Sequence, residues 1–399
     1  MRKQLFVPIG ILAFLLLATI LVVLYGKGYR LSDLGKPKIL GTGLLVATSQ
    51  PDGSQVFINN HLTTATNNTI NLIPETYHVK IVKEGYFPWE KTIKVKKEVV
   101  SVTGALLFAK APKLESITES GVANPMIDPS QTKLAFTVAS QSARKNGIYV
   151  LDMTSKPILT LTSASTQIAS DTTDLFSQAA LTWSPDGREI LATIYNPQNK
   201  ELSTIYLLKA NGFNDNPQDI TATISNTQTL WQTEKSEKEK AQIASLSSKL
   251  KKLISENFNI ISWSPDETRI LYTASESAQL HLVINPPLIG TDSTPQERVI
   301  QKNLLYVYDM KEDKNYKIPD FPNSFQLPLS WFPDSKHLVY VENNKIGIME
   351  SDGSNRTIVY AGPFTDSFVF PWPDGYKLVI LTNLGNTNIS PNLYTIGLK

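Results

Sequence analysis

The chain has no cysteine. That single absence excludes disulfides, thiolate metal sites and cysteine nucleophiles, while leaving the compartment open. It has four histidines, His61, His78, His281 and His337, scattered without metal-ligand spacing. An excess of one charge sign is missing too: 38 Lys and Arg against 36 Asp and Glu leave a formal net charge of +2. Nothing in that balance predicts a nucleic-acid partner. The sequence also lacks a G-x-S-x-G elbow and a phosphate-binding glycine loop. No cofactor or metal is therefore expected, and no catalytic residue stands out. What is present, 41% hydrophobic and 19% charged residues over 399 positions, suits a globular chain of two or three domains.

Only one long apolar run occurs. Leu5 to Tyr25 contains 21 uncharged residues, fifteen of them Leu, Ile, Val or Phe. Those fifteen contribute about −5 to −9 kcal/mol at a bilayer centre, and 21 residues at helical rise reach about 30 Å, the hydrocarbon thickness. A cleaved signal peptide would have a shorter core followed by small residues; Tyr25-Gly26-Lys27-Gly28-Tyr29-Arg30 follows here. The reading is a four-residue tail (1–4), a transmembrane anchor (5–25) and a linker (26–42). Lys27, Arg30, Lys36 and Lys38 outnumber Arg2 and Lys3, which by charge count favours a cytoplasmic body. A short tail with two basic residues nevertheless looks like a signal anchor, and that resemblance implies a single-pass protein with an extracytoplasmic body.

Residues 43–111 alternate as half-buried strands do, with Tyr77, Val79 and Ile81 on one face. Turn residues separate the runs: Pro51-Asp52-Gly53, Asn59-Asn60, Asn67-Asn68 and Pro74-Glu75. These features predict a small β-sandwich. Three pieces, Val56-Phe57-Ile58-Asn59-Asn60, Leu72-Ile73-Pro74-Glu75-Thr76-Tyr77-His78-Val79 and Glu84-Gly85-Tyr86-Phe87-Pro88-Trp89, resemble the PEGA domain. Asn59-Asn60 and Glu75-Thr76 depart from the family's Asp-Gly and Pro-Gly. The resemblance implies a non-catalytic surface module, with Tyr86 as a core residue.

Residues 181–191, LTWSPDGREIL, return at 261–271 as ISWSPDETRIL. Around Trp183 four strands can be read, a to d, with Ser184-Pro185-Asp186-Gly187 turning a into b because Pro presets φ and Gly accepts a positive one. Further copies centre on Ile127-Asp128-Pro129, Trp263-Ser264-Pro265-Asp266, Trp331-Phe332-Pro333-Asp334 and Trp372-Pro373-Asp374-Gly375. In copy one, Leu159-Thr160-Leu161-Thr162 reads as strand d. A four-stranded unit of about 40 residues is a propeller blade. Copy five lacks its fourth strand, and Lys113-Leu114-Glu115-Ser116-Ile117-Thr118 has the form of the missing one. The fold class is thus mainly β: membrane helix, sandwich, and a propeller over 112–399 of five blades, six being allowed by the 80 residues between copies two and three. The repeat resembles the TolB-like, WD-related propellers, whose fold serves many unrelated tasks. Trp183, Trp263 and Trp331 are expected as blade-core wedges.

Insertions at 163–180, 222–258 and 276–303 read as connections on one propeller face, turned away from the sandwich and anchor. Within the helical insertion 231–258, Ile243, Leu246, Leu250 and Leu253 follow 3-4-3 spacing, and Lys249, Lys251 and Lys252 add a basic patch. That pattern suits a helix packed on its own rim, or one offered to a partner. Leu288 and Ile289, beside Asn285-Pro286-Pro287, are a second candidate contact. The carboxylates of Asp309, Glu312 and Asp313 occupy a c–d turn and are expected to be solvated. The leading expectation is a membrane-anchored envelope protein that binds a protein partner or cell-wall component without catalysis. Two alternatives stand beside it: carbohydrate or wall binding, which needs aromatics such as Trp231 or Trp89 exposed in a groove, and an extracytoplasmic hydrolase, which needs two converging carboxylates.

Overall fold

The computed structural model describes residues 6–26, 30–31, 39–154, 165–196, 198, 201–318, 329–365 and 368–399. Helix α1, Phe6–Gly26, carries no charge and presents no polar face. From Ile9 to Gly26 nearly all its side chains are exposed, Leu12, Phe14 and Val22 among them. Thr19, its one hydroxyl residue besides Tyr25, donates to the Leu15 carbonyl at 2.8 Å inside the helix. Among the described residues it is the one helix long and apolar enough to cross a membrane. The flanking residues Arg2, Lys3, Lys27, Lys36 and Lys38, on which the charge count rests, lie outside the described residues.

The chain divides into two units. The first comprises Met1–Lys110, Leu282–Glu297 and Asp309–Tyr316; the second comprises Ala111–His281, Arg298–Tyr308 and Lys317–Lys399.

In the first unit seven strands build a two-layer sandwich: β1 Gly43–Gln50, β2 Gln55–Ile58, β3 His61–Ala65, β4 Asn68–Leu72, β5 Thr76–Val82, β6 Trp89–Lys94 and β7 Val100–Leu106. One sheet runs β4-β1-β7, with β1 and β7 parallel, and the other β3-β2-β5-β6. Alternation along each strand sends Leu45, Ala47, Val56, Val79, Ile81 and Trp89 into a shared core. Asn59 and Asn60, at φ 49° and 67°, make the tight turn from β2 to β3, a conformation asparagine tolerates better than branched residues. Tyr86 packs against the same core.

This unit also takes in 282–297, contrary to the expectation that residues 276–303 turn away from the sandwich. Lys91 on β6 pairs with Asp292 at 2.9 Å, and the Lys94 amide donates to Ser293 Oγ at 3.0 Å. β6 is an edge strand, so its outward amide would otherwise lack a partner; the excursion supplies one.

Five four-stranded blades follow; four belong wholly to the second unit, while Asp309–Tyr316 of blade 3 belongs to the first. From the inner to the outer strand, blade 1 is Ala123–Ile127, Lys133–Val138, Gly147–Asp152 and Ser165–Ser170. Blade 2 is Ala180–Trp183, Glu189–Tyr195, Leu202–Lys209 and Gln218–Asp219. Blade 3 is Phe258–Trp263, Arg269–Ala274, Leu305–Asp309 and Lys314–Lys317. Blade 4 is Ser330–Trp331, His337–Glu342, Lys345–Glu350 and Thr357–Tyr360. Blade 5 is Val369–Pro371, Lys377–Thr382, Asn392–Gly397 and, from the other end of the repeat, Leu114–Ser116. That last pairing, Leu114 against Ile396 and Ser116 against Tyr394, supplies the missing strand. The Leu159–Thr162 strand expected in blade 1 lies outside the described residues. The outer strand is Ser165–Ser170, so 163–180 is not purely a connection.

The repeated turn has a local cause. Gln131, Gly187, Glu267, Ser335 and Gly375 all have positive φ. In each case the amide donates back three residues, to the carbonyls of Asp128, Ser184, Ser264, Phe332 and Trp372. The Ser184 hydroxyl accepts from the amides of Arg188 and Glu189 and donates to Asp186 at 2.7 Å, so one side chain closes the turn. Ser264 repeats this with Thr268, Arg269 and Asp266. These equivalences correct one alignment. Trp372 occupies the place of Phe332 and Ser264, and Pro371 that of Trp331, so the clean repeat runs from Phe332 to Trp372.

Candidate functional site

Blade joints are closed by packed faces. Ile190, Ala192 and Ile194 alternate onto the side of blade 2 that meets blade 1, together with Trp183. Trp331 fills the joint between blades 3 and 4. The opposite side of blade 2 is closed differently. Leu191, Ile205 and Leu207 pack on Trp231, with Ile220 and Ile224 beside them. Trp231 and Ile224 belong to helix α2, Ile224–Ala244. A cleft of about 1150 Å³ opens between this face, α2 and the inner strand of blade 3.

The helical insertion differs from its expectation. It starts at Ile224 rather than 231 and is broken, α3 spanning Ser248–Asn257. Ser247 causes the break: extended at φ −63° and ψ 152°, it caps α3 by accepting from the Leu250 amide. The apolar stripe is therefore split, Ile243 lying on α2, Leu246 in the break, and Leu250 and Leu253 on α3. Leu250 and Leu253 are buried in the unit itself and offer nothing to a partner. Lys249 and Lys252 are exposed, and Lys252 lies 3.8 Å from Glu256. Ile243 is half-buried and lines the cleft. Leu288 and Ile289 are exposed, Ile289 at 70%, but they belong to the unit that contains the sandwich. The two candidate contacts are thus not brought together within one unit.

Sequence reasoning missed the row that α2 turns to the cleft: Gln228, Gln232, Lys235, Glu239 and Gln242, spaced 4-3-4-3. The spacing was legible, but a polar helical face ordinarily marks solvent. Gln242 Nε2 donates to Glu267 Oε1 at 2.7 Å, tying the far end of α2 to the first turn of blade 3. Of the aromatics suggested for a groove, Trp89 is buried in the sandwich core and Trp231 is buried on blade 2, bordering the cleft.

The acidic turn is not solvated as expected. Asp309 and Asp313 are buried. Asp309 accepts from the amides of Lys311 and Glu312, Asp313 from those of Val283 and Ile284, each at 2.8 Å, and Glu312 from that of Asp292 at 2.9 Å. The cluster ties down the excursion 282–297. Burial pushes the Glu312 carboxyl up and the Lys314 ammonium down. Elsewhere carboxylates serve their own turns. Burial opposes the charge of Asp266, but hydrogen bonds from Ser264 and Thr268 outweigh it and hold the group at about 2. Asp334 sits below its ordinary value, burial again being overcome by His337 Nδ1 at 2.6 Å. Among the described residues no group of three His, Asp or Glu side chains is placed to hold a metal ion.

Residues 42–107 match the PEGA domain. The sandwich is therefore a PEGA domain, set between the apolar helix and the five-bladed propeller. No curated protein matches the chain. Among solved structures it is similar to a putative TolB from Agrobacterium tumefaciens, at 14% identity and TM-score 0.23 over 73% of this chain and 84% of that one. TolB from Acinetobacter baumannii aligns at 15% identity and TM-score 0.24 over 80% of this chain and 60% of that one. The β-propeller domain of the Trilobed protease from Pyrococcus furiosus aligns at 12% identity and TM-score 0.23, over 89% and 95%. At these scores the propeller rests on its own strand order.

Proposed function

We propose that this chain is a membrane-tethered binding protein of the cell envelope, with its body on the extracytoplasmic side. The observation that carries the reading is α1: 21 residues without charge, largely exposed from Ile9 on, for which a bilayer is the matching solvent. The PEGA domain next in the chain supports an extracytoplasmic placement. The propeller acts by non-covalent binding and not by catalysis, a reading supported by the use of its carboxylates. Asp128, Asp186, Asp266, Asp334 and Asp374 each accept backbone amides of their own turns, which leaves them poorly placed for acid–base work. The partner is a protein or a wall component met by the surface around α2 and α3.

The test uses a C-terminal epitope in intact cells. Retention in membranes after alkaline carbonate, with cleavage of the epitope by external protease, is the expected result. Release by carbonate overturns the tether, and protection until lysis overturns the orientation.

A further inference from the structure

The first unit contains a cavity of about 220 Å³, walled by residues at and just beyond the end of β6, by Ser101 of β7 and by the excursion 282–297. Its walls carry three ammonium groups, Lys94, Lys96 and Lys314, against one carboxylate, Asp292. That carboxylate is already engaged. Its Oδ2 accepts from Lys91 at 2.9 Å and its Oδ1 from the Thr294 amide at 2.9 Å. Lys314 is engaged as well, by the Asp292 main-chain carbonyl and by Glu312 at 3.9 Å. Lys94 and Lys96 are exposed, and neither ammonium meets a carboxylate among the described residues. Two positive charges are left over.

The hydroxyls show the same bias. Ser101 is only 7% exposed and lines the cavity, yet its hydroxyl has no hydrogen-bond partner among the described residues. A buried hydroxyl left unpaired is costly. An inward position kept for packing alone would be apolar, as Ala105 is on the same face of β7. The Thr291 hydroxyl on the opposite wall also lacks a partner among the described residues. Ser293 Oγ accepts from the Lys94 amide at 3.0 Å and keeps its own proton to give.

This surplus of donors selects a ligand class. A cation would meet two uncompensated ammonium groups, and an uncharged ligand would desolvate them without a counter-charge. A phosphate group carries several acceptor oxygens and one or two negative charges, which matches hydroxyls and two lysines together. The volume is several times the roughly 30 Å³ share of one water, room for such a group with part of its hydration.

We propose that this cavity binds a phosphate ester, its free oxygens taken by Lys94, Lys96 and Ser101. The inference goes beyond the binding reading above, since it rests on the first unit alone and not on the surface around α2 and α3 or on the membrane placement. Full-length protein in dodecyl maltoside is titrated calorimetrically at one fixed ionic strength. The probes are inorganic phosphate, glycerol 3-phosphate, dihexanoyl phosphatidylglycerol below its micellar concentration, and acetate. The expected result is saturable binding of a phosphate ester, weakened about tenfold or more in the double variant Lys94→Gln, Lys96→Gln and about fivefold in Ser101→Ala. Ser101→Ala removes no hydrogen bond within the protein, so it should melt no lower than the wild type. Lys110 and Lys113 are exposed elsewhere on the chain, and Lys110→Gln, Lys113→Gln should leave the affinity unchanged. An equal loss in that control reduces the effect to surface charge and overturns the proposal. A folded protein that binds neither ester overturns it too, even if inorganic phosphate is held. So does acetate bound as tightly as glycerol 3-phosphate, or unchanged affinity in Ser101→Ala. Glycerol 3-phosphate held as tightly as the lipid marks a soluble or polymeric ester as the source, and binding of the lipid alone marks a membrane headgroup.

Discussion

Trp183 of blade 2 donates through Nε1 to the carbonyl of Met126 in blade 1 at 2.9 Å, joining two inner strands that share no ladder. Trp331 fills the corresponding place in blade 4 with its Nε1 buried and unpaired. Trp183→Phe and Trp331→Phe remove similar volumes, but only the first breaks a hydrogen bond and strands a carbonyl. Trp183→Phe is expected to cost about 1 kcal/mol more, read as the larger fall in the denaturant midpoint.

Closure of blade 5 depends on a short strand. Glu115 faces Thr395 between the bonds Gly397 N–H to Lys113 O and Ile117 N–H to Leu393 O, which by antiparallel alternation is a hydrogen-bonded position. Glu115→Pro removes that amide and is expected to cost about 2 kcal/mol. Glu115→Gln loses only the exposed Lys377 pair, worth less than about 1 kcal/mol. Thermal midpoints of the two variants distinguish the backbone effect from the charge.

Gly147 opens the third strand of blade 1 at φ 139°, where a Cβ would lie 2.0 Å from the Ala169 carbonyl oxygen. Gly147→Ala therefore meets both backbone strain and a clash with a neighbouring strand. A loss on the order of 3 kcal/mol is expected, seen as faster amide exchange in blade 1 before global unfolding.

Asp266 is held at about 2, below its ordinary 3.8. A depressed carboxylate contributes stability above its unfolded value and loses it as pH falls through the folded one. The contribution is present above about pH 4 and disappears toward pH 2. Asp266 is solvent-exposed, so screening keeps the effect below about 1 kcal/mol. The stability gap between wild type and Asp266→Asn should shrink between pH 4 and pH 2; a constant gap contradicts the assignment.

Lys91, whose side chain is 11% exposed, pairs with Asp292 across a sequence separation of 201 residues. Lys91→Ala leaves Asp292 without that cation and should loosen the excursion from β6. Hydrogen exchange in 282–297 should rise by about an order of magnitude, with the propeller strands unchanged.

These positions show what a sequence can and cannot carry. The blades were legible because each first turn needs a proline-compatible position and then a residue at positive φ, as at Gly187 and Gly375. Trp372 misled by one residue, since a tryptophan just before Pro-Asp looks like Trp331 of Trp331-Phe332-Pro333-Asp334 until its N–H, donating to the Lys377 carbonyl as that of Phe332 does to His337, fixes its place. The break at Ser245–Ser247 is a cap, a local signal that the leucine spacing obscured. The excursion 282–297 was illegible because its partners, Lys91 and Lys94, are about two hundred residues away. The cleft was illegible too: Trp183, Trp231, Trp263 and Trp331 each have a local role, and only the fold brings them to the lining of one cleft.

The origin of the outer strand of blade 5 has a consequence for biosynthesis. Leu114–Ser116 leaves the ribosome first of all the propeller strands, and its partner Asn392–Gly397 leaves last. No blade order can close the ring co-translationally, because this pairing spans almost the whole repeat and long-range pairing is slow. A chain cut short anywhere in blade 5 keeps two unpaired edges. Such edges invite aggregation and proteolysis, so the ring stays open until blade 5 has been made.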